Sequence, residues 1–272
     1  MAPPPFLVVE PEVDSPVLVE VPHAGTYVDP ETARWLVAPP RAVRQDADLL
    51  VDDLYADAPA VGATLLAAQH SRYVVDLNRG EGDVDGGSVR GVPGPLRASR
   101  GVIWRLTGAG EPVLSEPLAR AELERRLAHV YRPYHEALAG LIARKVRRFG
   151  HAVVLAAHSM PSVGLSSRGA RAPRADVVPG TRGRTSADAR FIDAVDTKAR
   201  SAGLSVAHDD PYRGGFTTLH YGRPASRVHV VQVELARRLY MNEATLEPSA
   251  SFAETRRFCR ELTAALVELS RS

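Results

Sequence analysis

The sequence predicts an α/β fold: a mostly parallel, mixed sheet covered by helices on both faces, a three-layer α/β/α arrangement. Three observations carry this. Short β-branched or apolar runs occur at Val17–Val21, 152–157 and 228–233; stretches of helical period lie between them; and glycine, proline or histidine marks the strand ends. Strands alternating with helices are the pattern of βαβ units. With 272 residues, no internal repeat and no linker between two cores, a single domain spanning 1–272 is expected.

The first run, Val17–Val21, stops at Pro22 and opens into His23-Ala24-Gly25, as a buried strand does where it enters a turn. Residues 48–62 place Leu49, Leu50, Leu54, Ala58 and Val61 at the spacing of an amphipathic helix. Strands are expected at 64–68 and again at 73–77. The stretch 80–96 is rich in glycine, proline and charge and reads as a long loop. Residues 116–149 have a long helical pattern with Pro133 inside it, which predicts a kink or break near Arg132. The continuous apolar run 152–157 fits a strand buried on both faces, with His158 following its end. Residues 168–185 read as a second Gly/Pro/Arg-rich loop, and 188–203 as a helix capped by Ser186. A short strand at 205–207, a strand at 228–233 leading into Glu234, and a closing helix at 253–269 complete the chain.

Composition excludes several classes. The hydrophobic fraction of 44% and charged fraction of 24% are those of an ordinary globular protein. Basic residues number 34 against 32 acidic ones, and the local arginine clusters lack interleaved aromatic residues, so nucleic acid is not an expected partner. The one cysteine, Cys259, can form no intramolecular disulfide. The N-terminal residues lack a basic and apolar leader pattern, and no run of about 18 apolar residues occurs, so the expectation is a cytoplasmic protein with no membrane partner.

Ligands of open α/β sheets bind outside the carboxyl ends of the strands, where loops converge. That edge collects His23, Asp76, Asn78, Arg79, His158 and Glu234. Two histidines with a carboxylate are the material of a catalytic zinc site, which takes three protein ligands and leaves a fourth position open. A lone histidine is more often a core or surface residue; two at strand ends shift the balance toward metal. The third ligand is left open between Asp46 and Asp48, which equally suit the N-terminal charge of a helix. No HExxH or CxxC pattern is present. Although Ser159 follows His158, the sequence lacks the GxSxG elbow of a serine hydrolase, and its glycine-rich stretches match no phosphate-binding loop.

The segments VPHAGT (21–26), QDADLLVDDLY (45–55), SRYVVDLNRG (71–80), AAHSMPS (156–162), DPYRGGFTTLHYG (210–222) and VQVELARRLYM (231–241) resemble the N-formylglutamate amidohydrolase (deformylase) family in the same order. DLNR is also similar to the motif of aspartoacylase and succinylglutamate desuccinylase, relatives of the zinc carboxypeptidases. The resemblance implies a zinc-carboxypeptidase-like fold and one Zn2+ per chain held by His23, Asp48 and His158. It implies Glu234 as general base, and a small anionic N-acyl amino acid such as N-formyl-L-glutamate as substrate. Arg72, Arg79 and Arg213, with Asn78 and His220, are the expected substrate contacts, because arginine binds carboxylates bidentately. A relative acting on a different N-acyl, amidine or peptide substrate, or a non-catalytic binding protein on the same fold, is the alternative. Oligomeric state is not legible.

Overall fold

The computed structural model describes residues 2–92, 100–165 and 171–271. In chain order it begins with β1 (Phe6–Val9), β2 (Val17–Val21), the short helices α1 (Pro30–Ala33), α2 (Pro40–Asp46) and α3 (Val51–Leu54), and β3 (Thr64–Ala68). Helix α4 (Arg120–Arg126) runs through a π turn at Leu127–Tyr131 into α5 (Arg132–Phe149). There follow β4 (Ala152–Met160), the antiparallel pair β5 (Val163–Leu165) and β6 (Arg171–Pro173), then β7 (Val177–Gly180), α6 (Ala189–Ser201) and α7 (Phe216–Tyr221). The chain closes with β8 (Val228–Ala236), β9 (Met241–Asn242), β10 (Glu247–Pro248) and α8 (Phe252–Arg271).

The main sheet has the order β1-β3-β2-β4-β8-β7. Strands β2, β4 and β8 pair in parallel and β7 runs antiparallel to β8, giving a mixed, mostly parallel α/β fold. All nine residues of β4 are buried, which is why its sequence is continuously apolar up to His158 rather than alternating. Two compact units divide the chain: Met1–Leu7, Pro22–Leu49 and Ala67–Ala139 form one, and Val8–Val21, Leu50–Leu66 and Gly140–Ser272 the other. In the second, α8 packs Phe258, Leu262 and Leu266, all buried, against β2, β4, α3 and α6. No helix among the described residues is long and apolar enough to cross a membrane.

Several expected elements take another form. Residues 73–77 are not a strand: the buried Arg126 guanidinium donates to the carbonyls of Tyr73 and Val74 at 3.3 and 3.2 Å, and Asp76 N–H donates to Val102 O at 2.8 Å. Side chain and loop here take the groups a strand would offer to a ladder. The helix expected over 48–62 is broken into α3 and a 3-10 turn at Pro59–Val61. Leu50, with φ of 67°, sits in the left-handed region just before α3, and Pro59 lacks the N–H that would continue it. The long helical pattern starts at Arg120 rather than 116. It deviates at the π turn immediately before Pro133, where Arg132 N–H reaches back to Leu127 O.

Ser186 does not cap α6. Its hydroxyl donates to Thr181 O and Val230 O, and Asp188 occupies the cap position. The strand at 205–207 reduces to one bridge between Val206 and Val177. Both β4 and β8 outrun their apolar stretches, so His158 and Glu234 lie inside strands rather than after them. Of the first expected loop, 93–96 lies outside the described residues; of the second, 168–170 does, and β6 and β7 occupy part of the rest.

Candidate metal centre

Pro22 ends the β2 ladder and turns the chain at His23, which is buried. The loop after α2 returns to it: Asp48 N–H donates to His23 O at 2.9 Å, so the backbone itself sets Asp48 beside the histidine. His23 Nε2 lies 2.8 Å from Asp76 Oδ1, while Nδ1 lies 3.5 Å from Asp48 Oδ2. An ionised Asp76 fixes the tautomer with the proton on Nε2 and leaves the Nδ1 lone pair facing Asp48.

Asp76 is wholly buried and is surrounded by donors. Besides His23 it accepts from Arg72 Nη2 at 2.9 Å, from Trp104 Nε1 at 2.8 Å and from Asn78 N–H at 2.9 Å. Burial alone would push its carboxyl upward, but Arg72 and His23, with Arg79 behind them, hold it well below the ordinary carboxylate range. Arg72 stacks on Trp104 at 4.4 Å from the ring centroid and gives a further hydrogen bond to Asp46 O.

In the other unit, β4 and β8 pair His158 with Glu234 and Ala156 with Gln232. Partners across a parallel pair, and alternate residues along one strand, share a face. His158, Glu234 and Gln232 therefore point the same way, and all three are buried. Gln232 Nε2 donates to Glu234 Oε1 at 2.9 Å.

His23, Asp48 and His158 each offer one ligand atom, and these atoms all lie within 4.8 Å of one another. The donor set fits a divalent metal: two imidazoles and a carboxylate suit zinc and leave a coordination position open. Asp46, the other aspartate of the same segment, ends α2. Its carboxylate accepts from the Tyr73 hydroxyl and from Gly108 N–H at 2.7 Å. Of the two, Asp48 is the one in the cluster.

The expected substrate contacts are placed less uniformly. The Arg72 guanidinium is engaged with Asp76, whereas Asn78 meets Asp76 through its backbone N–H. Arg79 donates to Arg100 O at 2.8 Å and to Asn78 O at 3.2 Å. Arg213 is exposed on the loop between the cis Asp210–Pro211 bond and α7. His220, on α7, is exposed and stacks on Phe216 with ring centroids 4.8 Å apart. Two residues at these networks escape the motif reading. Trp104 has no sequence signal. Gln232 has one: with Glu234 it forms a polar pair at alternate positions of β8, whose other residues are apolar except His229.

A family model described as N-formylglutamate amidohydrolase matches residues 15–241. The N-formylglutamate deformylase of Pseudomonas aeruginosa is 36% identical over 261 residues, 94% of either chain. That of Pseudomonas putida is 33% identical over 231 residues, 84% of this chain and 82% of its own. The crystal structure of N-formylglutamate amidohydrolase from Ralstonia eutropha JMP134 superposes with a TM-score of 0.91 at 35% identity, covering 98% of both chains.

Proposed function

The chain belongs to the N-formylglutamate amidohydrolase family and is a hydrolase acting on an amide bond; from that premise we propose that it is a zinc-dependent N-formyl-L-glutamate deformylase with Glu234 as general base. The observation that carries this is the His23, Asp48 and His158 cluster, with Glu234 paired to His158 across the sheet. One Zn2+ is the proposed occupant. Bound there it would supply Lewis acidity, polarising the formyl carbonyl and lowering the pKa of water toward about 7.

The protein's own groups do the rest. Asp76 holds the His23 ring by Nε2 and thereby presents Nδ1. Glu234 takes the proton of the attacking water as the carbon–oxygen bond forms, then returns it to the amide nitrogen as the carbon–nitrogen bond breaks, releasing formate and glutamate. Its burial beside Gln232 excludes bulk water from that transfer. Arg213 is the proposed anchor for a substrate carboxylate, because its guanidinium is exposed while that of Arg72 is engaged with Asp76. Arg79, Asn78 and His220 are proposed to complete the substrate contacts. A proton NMR assay of the zinc-supplied protein with N-formyl-L-glutamate tests the substrate directly: stoichiometric formate and glutamate are expected. Turnover of another N-acyl amino acid but not this one would overturn the assignment.

A further inference from the structure

We infer that Gln232 is a positioning residue that clamps the Glu234 carboxylate to the loop carrying Arg213. The inference rests on the reading of Glu234 as general base. The Gln232 amide is used at both ends: its Oε1 accepts from Gly215 N–H at 2.9 Å, and its Nε2 donates to Glu234 Oε1 at 2.9 Å. Because the Gly215 amide can only donate and the ionised Glu234 can only accept, the side-chain amide has one orientation that satisfies both. A buried glutamate with one oxygen held this way loses rotamer freedom about its acid group.

The loop end of the clamp is itself held from several sides. Arg182 N–H donates to Arg213 O at 2.8 Å, and Arg182 Nη1 donates to Gly214 O at 3.2 Å. A Cβ at Gly180 in β7 would meet Gly214 N at 2.7 Å and Tyr212 O at 2.9 Å, so strand and loop are in direct backbone contact. Asp209, just upstream, accepts from the N–H groups of Thr181, Arg182 and Gly183. Arg213 therefore leaves a rigid loop that Gln232 ties to the proton-transfer group. Gln232 sets the distance between the group that moves the proton and the cation proposed to grip the substrate.

Two full-length variants separate this role from plain structure, each supplied with zinc and assayed on N-formyl-L-glutamate with zinc content measured. Gln232→Leu removes both hydrogen bonds, whereas Gln232→Glu keeps an acceptor for Gly215 N–H and loses the donor to Glu234. For Gln232→Leu we expect kcat to fall about 10- to 100-fold at unchanged zinc content, with amide exchange faster over 212–217. For Gln232→Glu we expect exchange to stay as in the parent while kcat falls at least as far. A Gln232→Glu protein that keeps kcat within about twofold overturns the inference, as does a loss of rate matched by a loss of zinc. If the parent does not turn over N-formyl-L-glutamate, the functional reading fails separately. Exchange then decides the clamp: protection lost only in Gln232→Leu supports it, and equal protection in all three overturns it.

Discussion

Asp76 Oδ1 stands 2.8 Å from His23 Nε2 and thereby determines which nitrogen of that ring is available to a metal. Such outer partners orient a ligand and raise its basicity, and losing one typically costs about 10- to 100-fold in metal affinity. Asp76→Asn is expected to weaken zinc binding by that factor in a competition titration with a chromophoric chelator. An affinity equal to the parent's would show that the His23 ring needs no such support.

The two aspartates of the QDAD segment are expected to separate cleanly. Asp48→Asn removes an anionic ligand of the cluster and should leave the purified protein with little zinc. Asp46→Ala should keep full zinc content but lose about 1 to 3 kcal/mol in urea denaturation, because the Tyr73 hydroxyl and Gly108 N–H lose their acceptor. Zinc lost from the Asp46 variant and kept in the Asp48 variant would reverse the assignment.

Arg126 is expected to be among the most costly single positions for stability. Its side chain is wholly buried, paired to Glu122 at 2.8 Å and bonded to the carbonyls of Tyr73 and Val74. Arg126→Leu leaves those two buried carbonyls without their donor and removes one of the two arginines on Glu122, which Arg125 still holds, at a cost of about 3 kcal/mol or more. A urea midpoint within error of the parent would contradict that placement.

Glu234→Gln keeps the shape of the side chain and removes its basicity. With zinc content unchanged, kcat on N-formyl-L-glutamate should fall about 10²- to 10⁴-fold, the usual range for a lost general base. A variant that retains the parent rate would remove Glu234 from proton transfer.

The central strands were legible because burial on both faces writes itself as an unbroken apolar run, as in β4. His23 was legible because Pro22 ends the ladder before it. The run Tyr73-Val74-Val75 looks like another strand, yet its carbonyls are taken by Arg126, about fifty residues away, and local sequence holds no trace of that. The helical period over 48–62 is real, but a left-handed Leu50 and Pro59 divide it, and only the proline is visible beforehand. Placing Asp48 rather than Asp46 beside His23 required the Asp48 N–H to His23 O bond, a tertiary fact. Gln232 was readable in principle from its spacing to Glu234, whereas the indole of Trp104 reaching Asp76 was not.

Metal dependence is the claim on which the rest stands, and chelation tests it most directly. Formate release from N-formyl-L-glutamate should vanish when the protein is stripped of metal and return on adding about one equivalent of zinc per chain, the loading a single His23/Asp48/His158 site can hold. Full activity in the stripped protein, verified metal-free by elemental analysis, would contradict the account.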